Sequence, residues 1–380
     1  MRNLIWISLA VLPLLACGPK PIPSESPLDS PENHYQRGLR LLERSDSFGA
    51  QREFERARAL DDDFPGAYVG SALVAMEHKD FWRARKDVEQ ALHKENRFAD
   101  AYLALGRIAV AEGMDRGEKS ESWLKEAMAA FERARKIEPE NTEVFLRQAQ
   151  AHLAALDMPA ARGAFSQILE LNRGPHVDAA MREVERIQMI ERAAPGTKLG
   201  LKISTARALT RAELAVLLLE ELKLETLVRR RHAAMGSPGF EPPGSDSSTP
   251  QVASDLASSW AKPWVTEVLN LAIPGLELYP NGTFQPDRPV SRSSYAMVNQ
   301  GILVVVTGVD ELSTKYVGET SHFPDVRSDN YAYNAIALST SRGIMLADKI
   351  SGHFRPNDTV SGAEAMVIIR ELQNALRMEF

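Results

Sequence analysis

The sequence predicts an all-α chain: a superhelix of stacked helical hairpins followed by a second helical module built on a longer repeat. Two spacings predict it. Ala50, Phe54 and Ala57 recur 34 positions later as Ala84, Val88 and Ala91, and Ala127 and Phe131 recur as Ala161 and Phe165 at the same shift. Beyond these, Asp255 and Phe284-Gln285-Pro286 recur 70 positions later as Asp325 and Phe354-Arg355-Pro356. With 380 residues, 44% of them hydrophobic and 25% charged, the chain suits two or three globular domains with sizeable cores.

The N-terminus reads as a targeting segment. Arg2 precedes a run from Leu4 to Ala16 that is apolar except for Ser8 and ends Leu14-Leu15-Ala16-Cys17. The run is too short to span a bilayer and has the proportions of a signal peptide, over residues 1–16. Cys17 is the one cysteine of the chain, so no intramolecular disulfide forms. Ordinary secretory cleavage near Ala16 would leave an idle thiol, which oxidising compartments disfavour. The Leu-Leu-Ala-Cys ending resembles the bacterial lipobox. The resemblance implies cleavage before Cys17 and lipid on its sulfur and new amino terminus, hence a membrane partner through that anchor. Several acyl chains, at about 0.8 kcal/mol per buried methylene, anchor stably. Gly18 stands where an aspartate retains many such lipoproteins at the inner membrane, which points to the periplasmic face of an outer membrane in a cell with two. Residues 17–32, rich in Pro and Ser, predict a flexible tether.

The 34-residue period carries small residues at two fixed places, with Gly38, Ala72, Gly106 and Ala149 as the second set. Small residues let antiparallel helices approach closely, and Tyr68, Tyr102 and Phe145 fill an equivalent space between units. Pro139 closes the third unit. This pattern resembles the tetratricopeptide repeat. It implies four hairpins over residues 33–172 and an unidentified protein client in their groove. Between Gly106 and Ala127 the spacing is 21 residues, against 12 in the other units. The extra nine, around Glu112 to Ser122, are expected as a surface loop, with a partner-shaping role as the alternative. Val177, Met181, Val184, Ile187 and Ile190 recur at helical spacing and predict a helix capping the array, within 173–194.

In the second module a hydroxyl follows each repeated phenylalanine by seven residues, Ser291 and Ser361, and Thr210 holds the same kind of place. Helical stretches are expected at Trp260–Leu271 and Ala332–Ser341. The units run over 195–228, 255–310 and 311–380, with a Pro-, Gly- and Ser-rich flexible linker at 229–254. The pieces Leu209-Thr-Arg-Ala-Glu213, Tyr279-Pro-Asn-Gly-Thr-Phe-Gln-Pro-Asp287, Phe323-Pro-Asp-Val326 and Phe354-Arg-Pro-Asn357 resemble the S-layer homology domain, the first unit weakly. That resemblance implies an all-helical pseudo-trimer whose grooves bind anionic cell-wall polysaccharide, with the arginine after the Thr or Ser taking part. Carried over, this marks Arg211 and Arg292, with Gly362 replacing arginine in the third unit. Asp255, Asp325 and Trp260 complete the glycan-binding candidates. A helix N-terminus with an adjacent arginine suits a carboxylate. The structural alternative is equally physical, because Thr210-x-x-Glu213 and Ser361-x-x-Glu364 read as capping boxes. An arginine in the first helical turn opposes the dipole, so its loss is expected to cost the fold little. Trp260 and Trp264 share a helical face, where packing is expected ahead of stacking on sugar.

A formal charge of −6 argues against broad nucleic-acid binding. Gly-x-Ser-x-Gly, His-Glu-x-x-His and phosphate-loop patterns do not occur, and the eight histidines lack metal-ligand spacing, so no catalytic residue, metal or cofactor is expected. Asp61-Asp62-Asp63 is expected as a solvated turn and Asn281-Gly282-Thr283 as turn chemistry. The function expected is a non-enzymatic, lipid-anchored envelope scaffold that recruits protein through its repeats and contacts wall polysaccharide or another envelope component. The alternatives are an outer-membrane assembly or trafficking lipoprotein that binds only protein, and a wall-modifying enzyme, whose first sign would be a buried acidic pair in a cleft.

Overall fold

The computed structural model describes residues 23–24, 26–234 and 253–377. Cys17 and the segment before it lie outside the described residues. The described residues hold sixteen α-helices, one short 3-10 helix and no strand. They divide into two compact units, Met1–Ala155 with Gln167–His176 and Leu156–Ser166 with Val177–Phe380.

Three pairs of helices open the chain: α1 (Pro31–Glu43) with α2 (Ser47–Leu60), α3 (Pro65–Glu77) with α4 (Phe81–Lys94), and α5 (Ala99–Asp115) with α6 (Ser120–Ile137); α7 (Thr142–Ala154) and α8 (Met158–Leu171) follow in sequence. Each hairpin turns through one left-handed residue, Ser45, Lys79, Gly117 or Leu156, with φ of 61°, 60°, 65° and 61°. An aspartate then caps three of the second helices. Asp46 accepts from the Gly49 amide at 2.8 Å, Asp80 from Arg83 at 3.1 Å and Asp157 from Ala160 at 3.2 Å. The small residues act at the crossings: a methyl on Gly38 or Gly106 would collide with the ring of Phe54 or Phe131. Ala50, Ala84, Ala127 and Ala161 are fully buried.

The extra nine residues of the third hairpin are not a surface loop. They lengthen both helices, so α5 has 17 residues and α6 has 18 where their counterparts have 13 or 14. Packing explains it. Trp123 is buried against Gly113, and Glu112, buried in the added turn, pairs with Arg85 at 2.7 Å and Arg116 at 2.6 Å.

In the C-terminal unit, α9 (Val177–Ala193) and α10 (Lys198–Ser204) lead to α11 (Arg211–Glu220) and α12 (Leu224–Ala234). Then come α13 (Lys262–Asn270), α14 (Arg292–Thr307), α15 (Tyr333–Ser341) and α16 (Gly362–Arg377). Helix α12 runs through Arg229 to Ala234, so the first six residues of the expected linker are helical, and 235–252 lie outside the described residues. Helix α9 packs on α16 as the opening helix of the first unit. Arg370 ties its end, donating to the carbonyls of Ala193 and Ala194 at 2.6 Å each. Met181, expected on the apolar face of α9, is 50% exposed, whereas Ile187 and Ile190 are buried.

Three short extended segments hold the three units together. Leu209 donates to Val360 at 2.7 Å, Val360 to Val290 at 3.0 Å, and Val290 back to Leu209 at 2.8 Å. This closed ring of buried backbone bonds gives the module its pseudo-threefold centre, from which α11, α14 and α16 depart. Every amide in the ring has a partner, so the core needs no sheet.

Candidate functional site

Each of these three helices begins beside the loop of the next unit. The amide of Arg211 donates to the Arg288 carbonyl at 3.0 Å, that of Arg292 to Asp358 at 2.9 Å, and that of Gly362 to Ala206 at 2.9 Å. Three equivalent grooves result, and their side chains differ.

In the groove between the first and second units, Arg211 is 8% exposed. Its Nε donates to the Phe284 carbonyl at 2.9 Å, and its terminal nitrogens donate to Gly275 and Glu277 carbonyls at 3.3 and 3.0 Å. The guanidinium lies 4.6 Å from the Phe284 ring centroid and 5.0 Å from that of Tyr279. Burial pushes its pKa below the usual arginine value. Arg288, exposed, is 5.2 Å from the Tyr279 ring centroid, and its Nη1 donates to the Tyr279 hydroxyl at 3.0 Å. Among the described residues neither guanidinium is ion-paired with a carboxylate.

The groove between the second and third units keeps the same scaffold with the charge cancelled. The Nε of Arg292 donates to the Phe354 carbonyl at 2.7 Å, its Nη2 to the Leu346 carbonyl at 2.7 Å, and its Nη1 to the carboxylate of Glu364. Burial raises the pKa of Glu364, an effect the Arg292 charge opposes. Asp348 and Asp358 line the same groove, and Arg355 meets Asp348 at 3.4 Å. In the third groove Gly362 packs directly on the Ile203 carbonyl, leaving no room for an arginine.

Arg211 and Arg292 are therefore ties between units. The expectation that their loss costs little is corrected by the backbone carbonyls and aromatic rings they satisfy. Asp255 and Asp325 also work inward. Asp255 accepts from the Phe284 and Gln285 amides at 2.9 and 2.8 Å, and Asp325 from Phe354 and Arg355 at 2.9 and 2.6 Å. They pin turns in which Gln285 and Arg355 take φ of 56° and 58°. The capping hydroxyls act as expected, Thr210 within a complete box with Glu213. Glu364 instead turns to Arg292, so the third box keeps only the bond from its own amide to Ser361. Trp260 is 54% exposed, against the expected packing. Trp264 is half-buried and donates to Glu220 at 2.9 Å, leaving Trp260 leaning on it with centroids 6.0 Å apart.

Sequence reasoning missed Arg288 as a site residue. Its signal was a mismatch inside the 70-residue repeat: Pro286-Asp287-Arg288 aligns with Pro356-Asn357-Asp358, a cation facing an anion.

In the N-terminal unit the odd-numbered helices gather a second polar set. Tyr35 donates to Asp100 at 2.9 Å. The pKa of Arg107 is lowered to about 10 by burial and by the charge of Arg147, and Arg107 has no ion-pair partner among the described residues. The buried carboxylates Glu112 and Glu221 are each paired, Glu221 with Arg370 at 3.0 Å. No group of three or more His, Cys, Asp or Glu among the described residues could hold a metal ion. No described helix is long and apolar enough to cross a membrane.

The sequence pattern of the S-layer homology domain matches residues 276–296 and 322–366, which include Arg288, Arg292 and both repeated phenylalanines. Among solved structures, the chain is similar to a thermophilic TPR protein of Thermus thermophilus. The identity is 18%, over 54% of this chain and 99% of that one, with a TM-score of 0.37. It is also similar to PilF of Pseudomonas aeruginosa, at 19% identity over 55% of this chain and 88% of that one, with a TM-score of 0.34. No curated protein matches the chain.

Proposed function

We propose that this chain is a non-enzymatic scaffold of the bacterial cell envelope, held to the membrane through lipid on Cys17. Its C-terminal module contacts an acidic wall polysaccharide, and its repeats hold a protein partner. The observation that carries the wall contact is the difference between equivalent grooves. Of the two that keep an arginine at the helix start, one cancels its charge with Glu364, and the other leaves Arg211 and Arg288 without a carboxylate partner among the described residues. A cationic groove built on a helix N-terminus complements a carboxylate on a sugar. Arg288 supplies the exposed charge, Tyr279 holds the two guanidinium groups at its ring, and Arg211 ties the helix start to the turn. Trp260 offers a further aromatic face outside the groove. In the repeats, Arg147 is paired with Glu143 at 2.6 Å, and Arg107, with no ion-pair partner among the described residues, suits an acidic group on the partner protein. The match to the S-layer homology domain supports envelope association.

The test is co-sedimentation of the purified chain with wall polysaccharide, run beside pull-down from membrane extract. Retention on native polymer that falls as salt rises, and is lost when the polymer's acid groups are removed, is the expected outcome. Retention only by proteins of the membrane extract would favour the protein-only assembly role instead.

A further inference from the structure

A cavity of about 610 Å³ opens in the C-terminal unit where the turn between α11 and α12 meets α12, α14 and α16. It shares no lining residue with the two arginine grooves. Its floor is aliphatic. Leu222, Val306 and Leu376 are buried at 2%, 1% and 2% exposure, and Leu227 is half-buried beside them. Its rim is cationic: Lys223, Arg230 and Arg377 are exposed and Arg231 half-exposed. The neighbouring Arg229 is neutralised by Glu225 at 2.6 Å, but none of the four rim cations has an ion-pair partner among the described residues.

Those two features narrow the ligand. Four like charges around one opening, without an ion-pair partner among the described residues, raise a positive potential that an anionic head relieves. The floor offers little to a peptide, whose buried amides each need a hydrogen-bond partner. Even the Gln373 side chain is spent, donating to the Glu221 carbonyl at 2.7 Å and accepting from Arg370 at 2.9 Å. An alkyl chain needs no such partner, and its burial is favourable on aliphatic walls. The volume lies in the range of small-molecule sites.

We infer that this cavity binds a single-chain anionic amphiphile, with the alkyl chain on the Leu222, Val306 and Leu376 floor and a carboxylate or phosphate head among the four cations. The head has two sources, a free fatty acid or a lipid phosphate, which share this chemistry. Titration calorimetry of the full chain with dodecanoate and with dodecyl phosphate, both below micelle formation, tests it and ranks the two heads. Dodecanol, acetate and inorganic phosphate are the controls. At least one amphiphile should bind, with each control weaker by roughly tenfold or more. The exposed substitution Arg230→Glu, combined with Arg231→Glu, should weaken binding by roughly tenfold. Leu227→Trp should fill the cavity and abolish binding of either head with the far-ultraviolet dichroism unchanged. Absence of binding by both amphiphiles, equal binding of dodecanol, or indifference to both sets of substitutions would overturn the assignment. Retention on wall polymer should be the same in these variants, so a failure here is separable from a failure of the groove.

Discussion

Arg292 lies 4.6 Å from the ring centroid of Phe354 while its Nε donates to that residue's own carbonyl at 2.7 Å. Arg211 repeats the arrangement on Phe284, at 4.6 and 2.9 Å. In both cases an arginine from one unit grips the aromatic turn of the next, and the turn is itself pinned by an aspartate.

Removing either grip should therefore destabilise the module. Arg292→Ala leaves two carbonyls unsatisfied, loses the cation–ring contact and strands Glu364 in a part-buried site. The expected cost is about 2–4 kcal/mol in chemical denaturation. A change within about 0.5 kcal/mol, the range of an ordinary surface substitution, would show that the tie is not formed.

Gly362 should resist even the smallest enlargement. A methyl there meets the Ile203 carbonyl, which is backbone and cannot swing aside. Gly362→Ala should cost about 1–3 kcal/mol through overpacking, despite the better helix propensity of alanine. Stabilisation of the melting transition would contradict this placement.

Asp325 gives the acid limb a definite sign. Burial alone raises its pKa, but the amides of Phe354 and Arg355 outweigh this and hold it below the usual carboxylate value. A group depressed in the folded state contributes its stability fully above the unfolded value, about 3.9, and loses it as pH falls through the lower folded value. Asp325→Asn should cost about 1–2 kcal/mol at neutral pH and flatten the loss of stability on acidification. An unchanged acid limb in pH-dependent denaturation would show that this carboxylate does not carry it.

The lipid anchor is independent of all these contacts. Cys17→Ser should abolish incorporation of a labelled fatty-acid analogue and leave the precursor uncleaved. Equal labelling of the variant would remove the anchor from the account.

Much of the fold was legible because small residues at fixed spacing record close helix crossings directly, as Ala50, Ala84 and Gly106 do. The lengthened third hairpin was not legible. A charged, Gly-containing stretch reads as a loop until Trp123 and the Glu112 pairs show what buries it. The repeats Asp255/Asp325 and Phe284/Phe354 located the turns of the second module, but a recurring aspartate looks alike whether it holds a ligand or two backbone amides. The roles of Arg211 and Arg292 were hidden for a related reason. Their acceptors are main-chain carbonyls 54 to 73 positions away, which leave no mark in side-chain pattern. Arg288 was visible only as a departure from the repeat.

The most direct measurement of the proposed function is retention of Arg288→Ala on purified acidic wall polymer, read beside its melting curve. Arg288 is exposed, so the fold should change by no more than about 0.5 kcal/mol, while retention should fall by roughly tenfold. Arg355→Ala, an exposed arginine in the charge-cancelled groove, should leave retention unchanged. Full retention by Arg288→Ala, with a melting curve equal to that of the unaltered chain, would contradict glycan recognition by this groove.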